Sequence, residues 1–304
     1  MFKFGYVTII GKPNAGKSTL VNKLVGFKVA ITTPKPQTTR FNIKGIITNE
    51  KYQIVFIDTP GVHLPKNKMG EYMMEGVRNS IKSVDVIIYL VDATKSRIDE
   101  ANKRIMEDIV NTGKKVILCI NKIDKVKKEN ILKIMDEYNQ YFQSINGVFK
   151  EIIPISIYKN DGLDILLNKI EQYLPEGNLM YQDDEMTDIT EREIVEELIR
   201  EKALNNLDEE VPHGIKVEVE QFKSRENINN KIVYDIEVNI ICEKMSHKGI
   251  IIGKDGEMLK KIRSESKREI EKMLEEKVNL KIWVKMRKNW QQNDIYLQNI
   301  KNKI

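Results

Sequence analysis

A chain of 304 residues, 41% of them apolar, is too long for one small domain and suits two, each with a core of its own. No apolar run approaches the length of a membrane-spanning helix, and the first strand starts too near Met1 to leave room for a secretory signal. The net charge of +5 is small but uneven: residues 179–201 hold nine acidic and two basic side chains, whereas residues 257–288 hold eleven basic and six acidic ones.

The first apolar run, Tyr6-Val7-Thr8-Ile9-Ile10, leads into Gly11-Lys12-Pro13-Asn14-Ala15-Gly16-Lys17-Ser18-Thr19, and residues 20–25 then read as a helix. Strand, glycine-bounded loop and helix in that order are what a phosphate-binding P-loop requires. Gly11 and Gly16 let the backbone turn so that N–H groups face phosphate oxygens, and the helix N-terminus adds partial positive charge. Lys17 supplies a cation for the outer phosphates, and the Ser18 hydroxyl can join a magnesium ion. A nucleoside triphosphate is the expected ligand.

Residues 32–40, Thr32-Thr33-Pro34-Lys35-Pro36-Gln37-Thr38-Thr39-Arg40, read as a polar loop. Such a loop is either a surface connection or, in a nucleotide switch, the carrier of a threonine that closes on magnesium and the γ-phosphate. Strands are expected over residues 41–48 and 52–57, the second ending in Asp58-Thr59-Pro60-Gly61. A carboxylate at the end of a buried strand is costly unless it serves a cation. Asp58 can hold a water of the magnesium shell, and Gly61 can bring its N–H close to the γ-phosphate.

A helix over residues 70–82 and a buried strand over 85–91 follow, then an amphipathic helix with Ile98, Ala101, Ile105 and Ile109 on one face. Strands over 115–120 and 151–155 complete the set; Cys119 in the first of these and Cys242 later in the chain lack metal-like spacing and read as buried thiols of a reducing compartment. Strands alternating with helices imply an α/β domain with a mostly parallel sheet flanked by helices. Ligands then sit at the strands' carboxyl ends, where the P-loop, Asp58, Asn121 and Ser156 all fall. Asn121-Lys122-Ile123-Asp124 selects the base. The Asp124 carboxylate can accept from both the ring N–H and the exocyclic amine of guanine, a donor pair that adenine lacks. Lys122 can lie along the base, and Asn121 can tie the site to the P-loop.

Taken in this order, the P-loop, Thr38-Thr39-Arg40, Asp58 to Gly61 and Asn121 to Asp124 resemble the Era family among translation-factor-class GTPases. Arg200-Glu201-Lys202-Ala203, residues 209–214, Ile282-Trp283-Val284-Lys285 and Asn289-Trp290 extend the likeness over about residues 4–290. The resemblance implies a GTPase with a low intrinsic rate, cofactors GTP or GDP and Mg2+, and a catalytic group of Lys17, Thr39, Gly61 and Asn14. It makes Thr39 the switch threonine on the metal with Ser18 and Asp58, Thr38 being the alternative within the doublet. Relatives read Ser-Ala where this chain has Ser156-Ile157; the contact there comes from a backbone N–H, so altered packing is expected, not lost binding. Val62 stands where Ras-type enzymes use glutamine to orient the attacking water, which valine cannot do. His63 beside it is a candidate base, or simply an exposed side chain. In related potassium-stimulated GTPases the asparagine matched by Asn14 seats a monovalent cation, which adds K+ as a candidate cofactor.

The first domain is expected over residues 1–175, an acidic linker over 176–190, a second domain over 191–288 and a tail over 289–304. The second domain reads as a helix over 191–207, then strands over 215–220 and 231–241, the latter with Ile232, Tyr234, Ile236, Val238 and Ile240 on one face. Next come Gly249-Ile250-Ile251-Ile252-Gly253-Lys254-Asp255-Gly256, a basic helix over 258–277 and a strand over 280–286. Gly-x-x-Gly alone is only a tight turn, and a basic run alone is only a solvated face. With an apolar run leading in, a helix leading out and strands on both sides, the segment resembles an α+β type II KH domain, whose loop clamps the backbone of about four nucleotides. The candidate RNA-binding residues are Gly249, Ile250, Ile252, Gly253, Lys254, Asp255, Gly256, Lys260, Lys261, Arg263 and Lys267, with Arg268 close by. Such a groove admits unstacked bases rather than duplex; RNA is the expected partner and DNA is not.

The Era resemblance implies the partner: the 3′ end of 16S ribosomal RNA during maturation of the 30S subunit, bound by a cytoplasmic monomer. Peripheral association with the inner face of the membrane is linked to the family, although no lipid anchor or apolar patch in the sequence argues for it. Two other classes compete with this reading. A metabolic P-loop ATPase or kinase conflicts with Asn121 to Asp124; an RNA-binding scaffold with a nearly inert nucleotide domain would differ only in its hydrolysis rate.

Overall fold

The computed structural model describes residues 1–35, 38–62, 68–95 and 97–290. They divide into two compact units, one of Met1–Ala30 with Thr39–Asp188, the other of Ile31–Thr38 with the described residues from Ile189. His63 and the tail beyond Trp290 lie outside the described residues.

The first unit runs β1 (Lys3–Ile10), α1 (Lys17–Val25), β2 (Ile43–Thr48), β3 (Tyr52–Asp58), α2 (Lys68–Ser83), β4 (Val86–Asp92), α3 (Glu100–Val110), β5 (Lys115–Asn121), α4 (Lys128–Ser144), β6 (Phe149–Pro154) and α5 (Leu163–Tyr173). Its sheet has the order β2-β3-β1-β4-β5-β6; only β2 is antiparallel to its neighbour. Every residue of β3 is buried, as are Val86 to Val91 of β4 and Val116 to Asn121 of β5. Such continuous burial is what near-unbroken Val and Ile runs require when helices cover both faces of a parallel sheet. Each parallel strand therefore ends at one common edge, and the loops there carry the polar motifs.

Three details differ from the sequence reading. Ile98 precedes α3, because Asp99 closes a capping box with Asn102 and starts the helix after it. Helix α4 had no counterpart, although Ile134, Tyr138 and Phe142 repeat at helical spacing and are buried. The acidic stretch read as a linker is fastened to the first sheet: Gly45 bridges to Thr187, the Ile46 N–H donates to Met186 O, and Gln53 Oε1 accepts from the N–H groups of Met180 and Tyr181.

The second unit runs α6 (Glu191–Asn206), β7 (Ile215–Glu226), β8 (Ile232–Cys242), α7 (Met245–Ile252), α8 (Glu257–Leu274) and β9 (Lys277–Met286). In its sheet β8 lies between β7, antiparallel, and β9, parallel. Tyr234, Ile236, Val238 and Ile240 of β8 pair with Val278, Leu280, Ile282 and Val284 of β9. All of these are buried except Tyr234, which is half-buried. Ile232, expected on that face, is exposed at the strand's outer end. The apolar run before the Gly-x-x-Gly loop is helix α7, with Ile251 buried and Ile250 exposed. Among the described residues no helix is long and apolar enough to cross a membrane.

Candidate nucleotide site and nucleic-acid interface

The P-loop joins β1 to α1, and its backbone explains its glycines. Gly16 caps α1 at φ 106°, and a Cβ there would stand 2.6 Å from Asn121 Nδ2. A Cβ on Gly11 would stand 2.3 Å from Leu90 O. Asn14 adopts φ 65°, the left-handed region that asparagine tolerates. Lys12 Nζ is held 2.5 Å from Asp99 Oδ2, so the loop's outer edge is pinned to the cap of α3. Gly61 lies against Pro13, and the Val62 N–H donates to Gly11 O at 3.3 Å, which seats the end of β3 on the loop.

Three oxygens converge beside the loop. Ser18 Oγ donates to Asp58 Oδ2 at 2.6 Å and lies 3.0 Å from Thr39 Oγ1, which donates to the same carboxylate oxygen at 3.3 Å. Thr38 does not take part: its Oγ1 donates to Lys35 O and pairs with Thr33 Oγ1, both at 2.7 Å. Asp58 Oδ1 is buried with no hydrogen-bond partner among the described residues. Two hydroxyls and a carboxylate with one oxygen unspent form a hard-oxygen donor set that fits Mg2+. The electrostatics agree. Burial pushes the Asp58 carboxyl above its usual range against the pull of Ser18, Lys17 and Thr39, and burial pushes the Lys17 ammonium down to about 8. A divalent cation beside the first and a polyphosphate beside the second would each favour the charged form.

The third corner lies at the ends of β5 and β6. Asn121 Nδ2 donates to Ala15 O at 2.9 Å and its Oδ1 accepts from the Ile157 N–H at 3.3 Å, so this side chain ties the loop after β6 to the P-loop. Lys122 Nζ donates to Asn14 O at 2.9 Å and to Asp92 Oδ2 at 2.6 Å. Burial disfavours the charged Asp92, but Lys122 and Thr94 hold its carboxyl below the usual range. Asp124 is exposed, with Oδ1 accepting from Ser156 Oγ at 2.6 Å. That leaves its other oxygen for a ligand edge.

The structure thus gathers the P-loop, Thr39, Asp58, Gly61 and Asn121 to Asp124 with Ser156 and Ile157 at one sheet edge. Thr59 and Pro60 are buried behind it, and Thr59 Oγ1 is spent on Ile9 O at 2.9 Å. Thr19 is exposed on α1. Asp92 and the pair Asp99–Asn102 were not anticipated. Register supplied a signal for the first, since Asp92 ends β4 directly beside Asn121. The Asp-x-x-Asn cap supplied one for the second.

In the second unit, the segment from Gly253 to Gly256 turns between α7 and α8 with φ 75°, 50° and 78° at Gly253, Asp255 and Gly256. Lys254, Asp255, Lys260, Lys261, Arg263 and Arg268 are exposed. Lys260, Lys261 and Arg263 form no ion pair among the described residues, whereas Lys267 lies 3.8 Å from Glu271. Gly249 and Ile250 are exposed on α7, and Ile252 is half-buried there. The loop, the exposed edge of α7 and the first turns of α8 thus present glycine backbone, the apolar Ile250 and the cations Lys254, Lys260, Lys261 and Arg263, with the carboxylates of Asp255 and Glu257 among them.

Comparison with known proteins follows this division. Residues 6–122 match the family described as 50S ribosome-binding GTPase, and residues 210–291 match the KH domain family. The GTPase Era of Clostridium perfringens (strain ATCC 13124) is 48% identical over 300 residues, covering 99% of this chain and 98% of its own; that of Clostridioides difficile (strain 630) is 45% identical. A crystal structure of Era in complex with MgGDPNP and nucleotides 1506–1542 of 16S ribosomal RNA superposes with a TM-score of 0.92 at 37% identity, covering all of both chains. A variant of Aquifex aeolicus Era bound to GDP·AlF4− gives 0.91, also at 37% identity and full coverage. With such likeness running the full length through both units, the chain belongs to the Era family of GTPases.

Proposed function

We propose that this chain hydrolyses GTP to GDP and phosphate and, in its GTP-bound state, holds single-stranded RNA from the 3′ end of 16S ribosomal RNA during maturation of the 30S subunit. One observation carries the switch: Ser18, Thr39 and Asp58 bring three oxygens within 3.3 Å of one another, and Thr39 belongs to the polar loop while Asp58 ends β3. GDP, which lacks the γ-phosphate, gives the loop no reason to stay closed. The Era complexes with MgGDPNP and ribosomal RNA and with GDP·AlF4− support the ligand and the reaction.

Ser18 and Thr39 would hold Mg2+ through their hydroxyls with Asp58 behind its water, and the ion would neutralise charge gathering on the phosphate oxygens. The chain's own contribution is positional. Backbone N–H groups of the P-loop and the Lys17 ammonium, which donates here to Gly11 O and Lys12 O, would face the outer phosphates, with Gly61 seated on Pro13 beside them. Val62 lines a cavity of about 310 Å3 with Met74, Val77 and Ile81 and the charged Glu71, Arg78 and Arg104, and its own side chain gives an attacking water no polar partner. A site in which Val62 cannot orient the water and which relies on charge neutralisation and positioning hydrolyses slowly on its own. Asn14, at the exposed rim of the P-loop, is the residue we assign to a potassium ion.

The reading is tested by single-turnover GTP hydrolysis with and without RNA of the 16S 3′ sequence, in potassium and in sodium. A rate that rises with RNA and with potassium is expected. A near-zero rate indifferent to both would favour a scaffold with an inert nucleotide domain.

A further inference from the structure

Arg200 belongs to the Arg200-Glu201-Lys202-Ala203 stretch of α6, for which neither nucleotide nor RNA binding accounts. It is 2% exposed. Glu197, one turn earlier, fixes the guanidinium with two bonds, Nε to Oε1 at 2.7 Å and Nη2 to Oε2 at 2.6 Å. So held, Nη2 also donates to the carbonyl oxygen of Thr38, 162 residues away in sequence. A buried ion pair within one helix needs no such third partner. Two more contacts fasten the same loop segment to the helix and its end. The Thr32 N–H reaches Glu201 Oε1 at 3.4 Å, and Lys35 Nζ reaches Leu207 O and Asp208, the latter at 3.2 Å.

The Thr38 carbonyl is part of the planar peptide that also contains the Thr39 N–H. Clamping that oxygen fixes the orientation of the plane, and with it the direction in which the Thr39 side chain leaves the backbone. Thr39 is the residue whose hydroxyl meets Ser18 and Asp58. The opposite side of α6 is committed to the basic helix: Asn206 Nδ2 donates to Glu265 Oε2 of α8 at 2.6 Å, and Lys202 lies 3.7 Å from Glu269.

We propose that Arg200 is a positioning residue for hydrolysis, orienting the Thr38–Thr39 peptide so that Thr39 is presented to the metal, and that through α6 it couples this threonine to the RNA-binding helix α8. The inference rests on the assignment of Thr39 to Mg2+ made above. Coupling of this kind is reciprocal and spans about 5- to 150-fold in binding. What the guanidinium gives to the closed GTP state must therefore reappear as a preference of that state for RNA.

The experiment uses the full chain with Arg200→Ala, Arg200→Lys and Thr39→Ala. For each, single-turnover GTP hydrolysis, affinity for GDP, affinity for GDPNP, and affinity for a 16S 3′ RNA in the GDP and GDPNP states are measured. Arg200→Ala should lower the hydrolysis rate and GDPNP affinity about tenfold and bring the ratio of RNA affinities in the two states close to one. GDP affinity and RNA affinity in the GDP state should stay within about twofold. Lysine, which reaches the carbonyl but cannot also engage both Glu197 oxygens, should fall between. An unchanged rate, or a parallel loss of GDP and RNA affinity in both variants, overturns the proposal and leaves Arg200 a structural residue. If Thr39→Ala hydrolyses normally, the assignment of Thr39 fails; if it loses activity while both Arg200 variants keep theirs, only the present inference fails.

Discussion

Two glycine-bounded loops each open a helix in this molecule. In the P-loop, Gly16 caps α1 at φ 106° two residues after Asn14 at 65°; in the second unit, Gly256 caps α8 at 78° directly after Asp255 at 50°. Each carries a lysine, and each aims backbone N–H groups from a helix N-terminus. They differ in what surrounds them. Lys17 is 6% exposed and donates to Gly11 O and Lys12 O at 3.2 Å, whereas Lys254 is exposed. A Cβ on Gly16 would strike Asn121, but one on Gly256 would meet nothing within 4 Å. The same backbone device thus serves two kinds of recognition. Enclosed, it accepts one ligand of fixed shape and charge; open, it clamps a phosphate backbone of many sequences.

The strongest way to break this contrast is to give both capping glycines a methyl group. In Gly16→Ala the strained φ and the approach to Asn121 add up to about 4 kcal/mol, so GDP affinity should fall on the order of a thousandfold. In Gly256→Ala only the left-handed backbone resists, and RNA affinity should fall no more than about threefold. Isothermal titration of each variant checks the pair, and comparable losses would erase the distinction. Asp124→Asn comes next. It replaces an acceptor for two guanine donors with a mixed donor and acceptor, and GDP affinity should fall about a hundredfold as two charge-assisted bonds are lost. ATP should not bind in exchange, because adenine gains no partner; displacement of a fluorescent GDP by each nucleotide reads both.

How legible the two loops were in the sequence follows from the same difference. The residues the sequence placed at the nucleotide site do meet at one sheet edge, because buried strands announce themselves as apolar runs and their ends can then be located. What escaped there were supports spaced far along the chain. Asp92 fixes Lys122 across neighbouring strands, and Asp99 holds Lys12 across 87 residues. The Thr38–Thr39 ambiguity also needed coordinates, since two adjacent identical side chains can be told apart only by where the backbone points them. In the second unit the loop was legible but its approach was not. Gly249 to Ile252 reads equally as strand or helix, for a short apolar run has no period of its own. That Ile31 to Thr38 packs with α6 was invisible, because hydrogen bonds between a polar loop and a helix leave no periodic trace.

The open loop can be sharpened further. Gly253 is the tighter of its two glycines: at φ 75°, a Cβ added to it would stand 2.7 Å from Met258 Cβ. Gly253→Ala should therefore weaken RNA binding about tenfold, more than Gly256→Ala, by pushing the loop off the start of α8. Lys254→Ala should act differently. It removes one exposed phosphate contact, so affinity drops a few-fold at low salt and the slope of log K against log salt shallows by about 0.7. Filter binding at several salt concentrations separates the two, since a steric lesion lowers affinity without altering the slope.

A modest effect tests whether enclosure reaches the base. Ser156 Oγ donates to Asp124 Oδ1 at 2.6 Å, and its backbone exchanges two bonds of 3.0 Å with Asp161. Main chain thus holds most of the turn; the hydroxyl also accepts from the Lys159 N–H at 3.2 Å, so it braces the turn as well as aiming the carboxylate. Ser156→Ala keeps the two main-chain bonds to Asp161, drops the one from Lys159 and releases Asp124 to rotate, a loss of about 1 kcal/mol or roughly fivefold in GDP affinity. The informative comparison is with IDP, whose base lacks the exocyclic amine. An aimed carboxylate gains from both guanine donors, a rotating one mostly from the ring N–H alone. The preference for GDP over IDP should therefore narrow in Ser156→Ala, while a hydroxyl that only braces the loop would weaken both nucleotides alike and leave their ratio untouched.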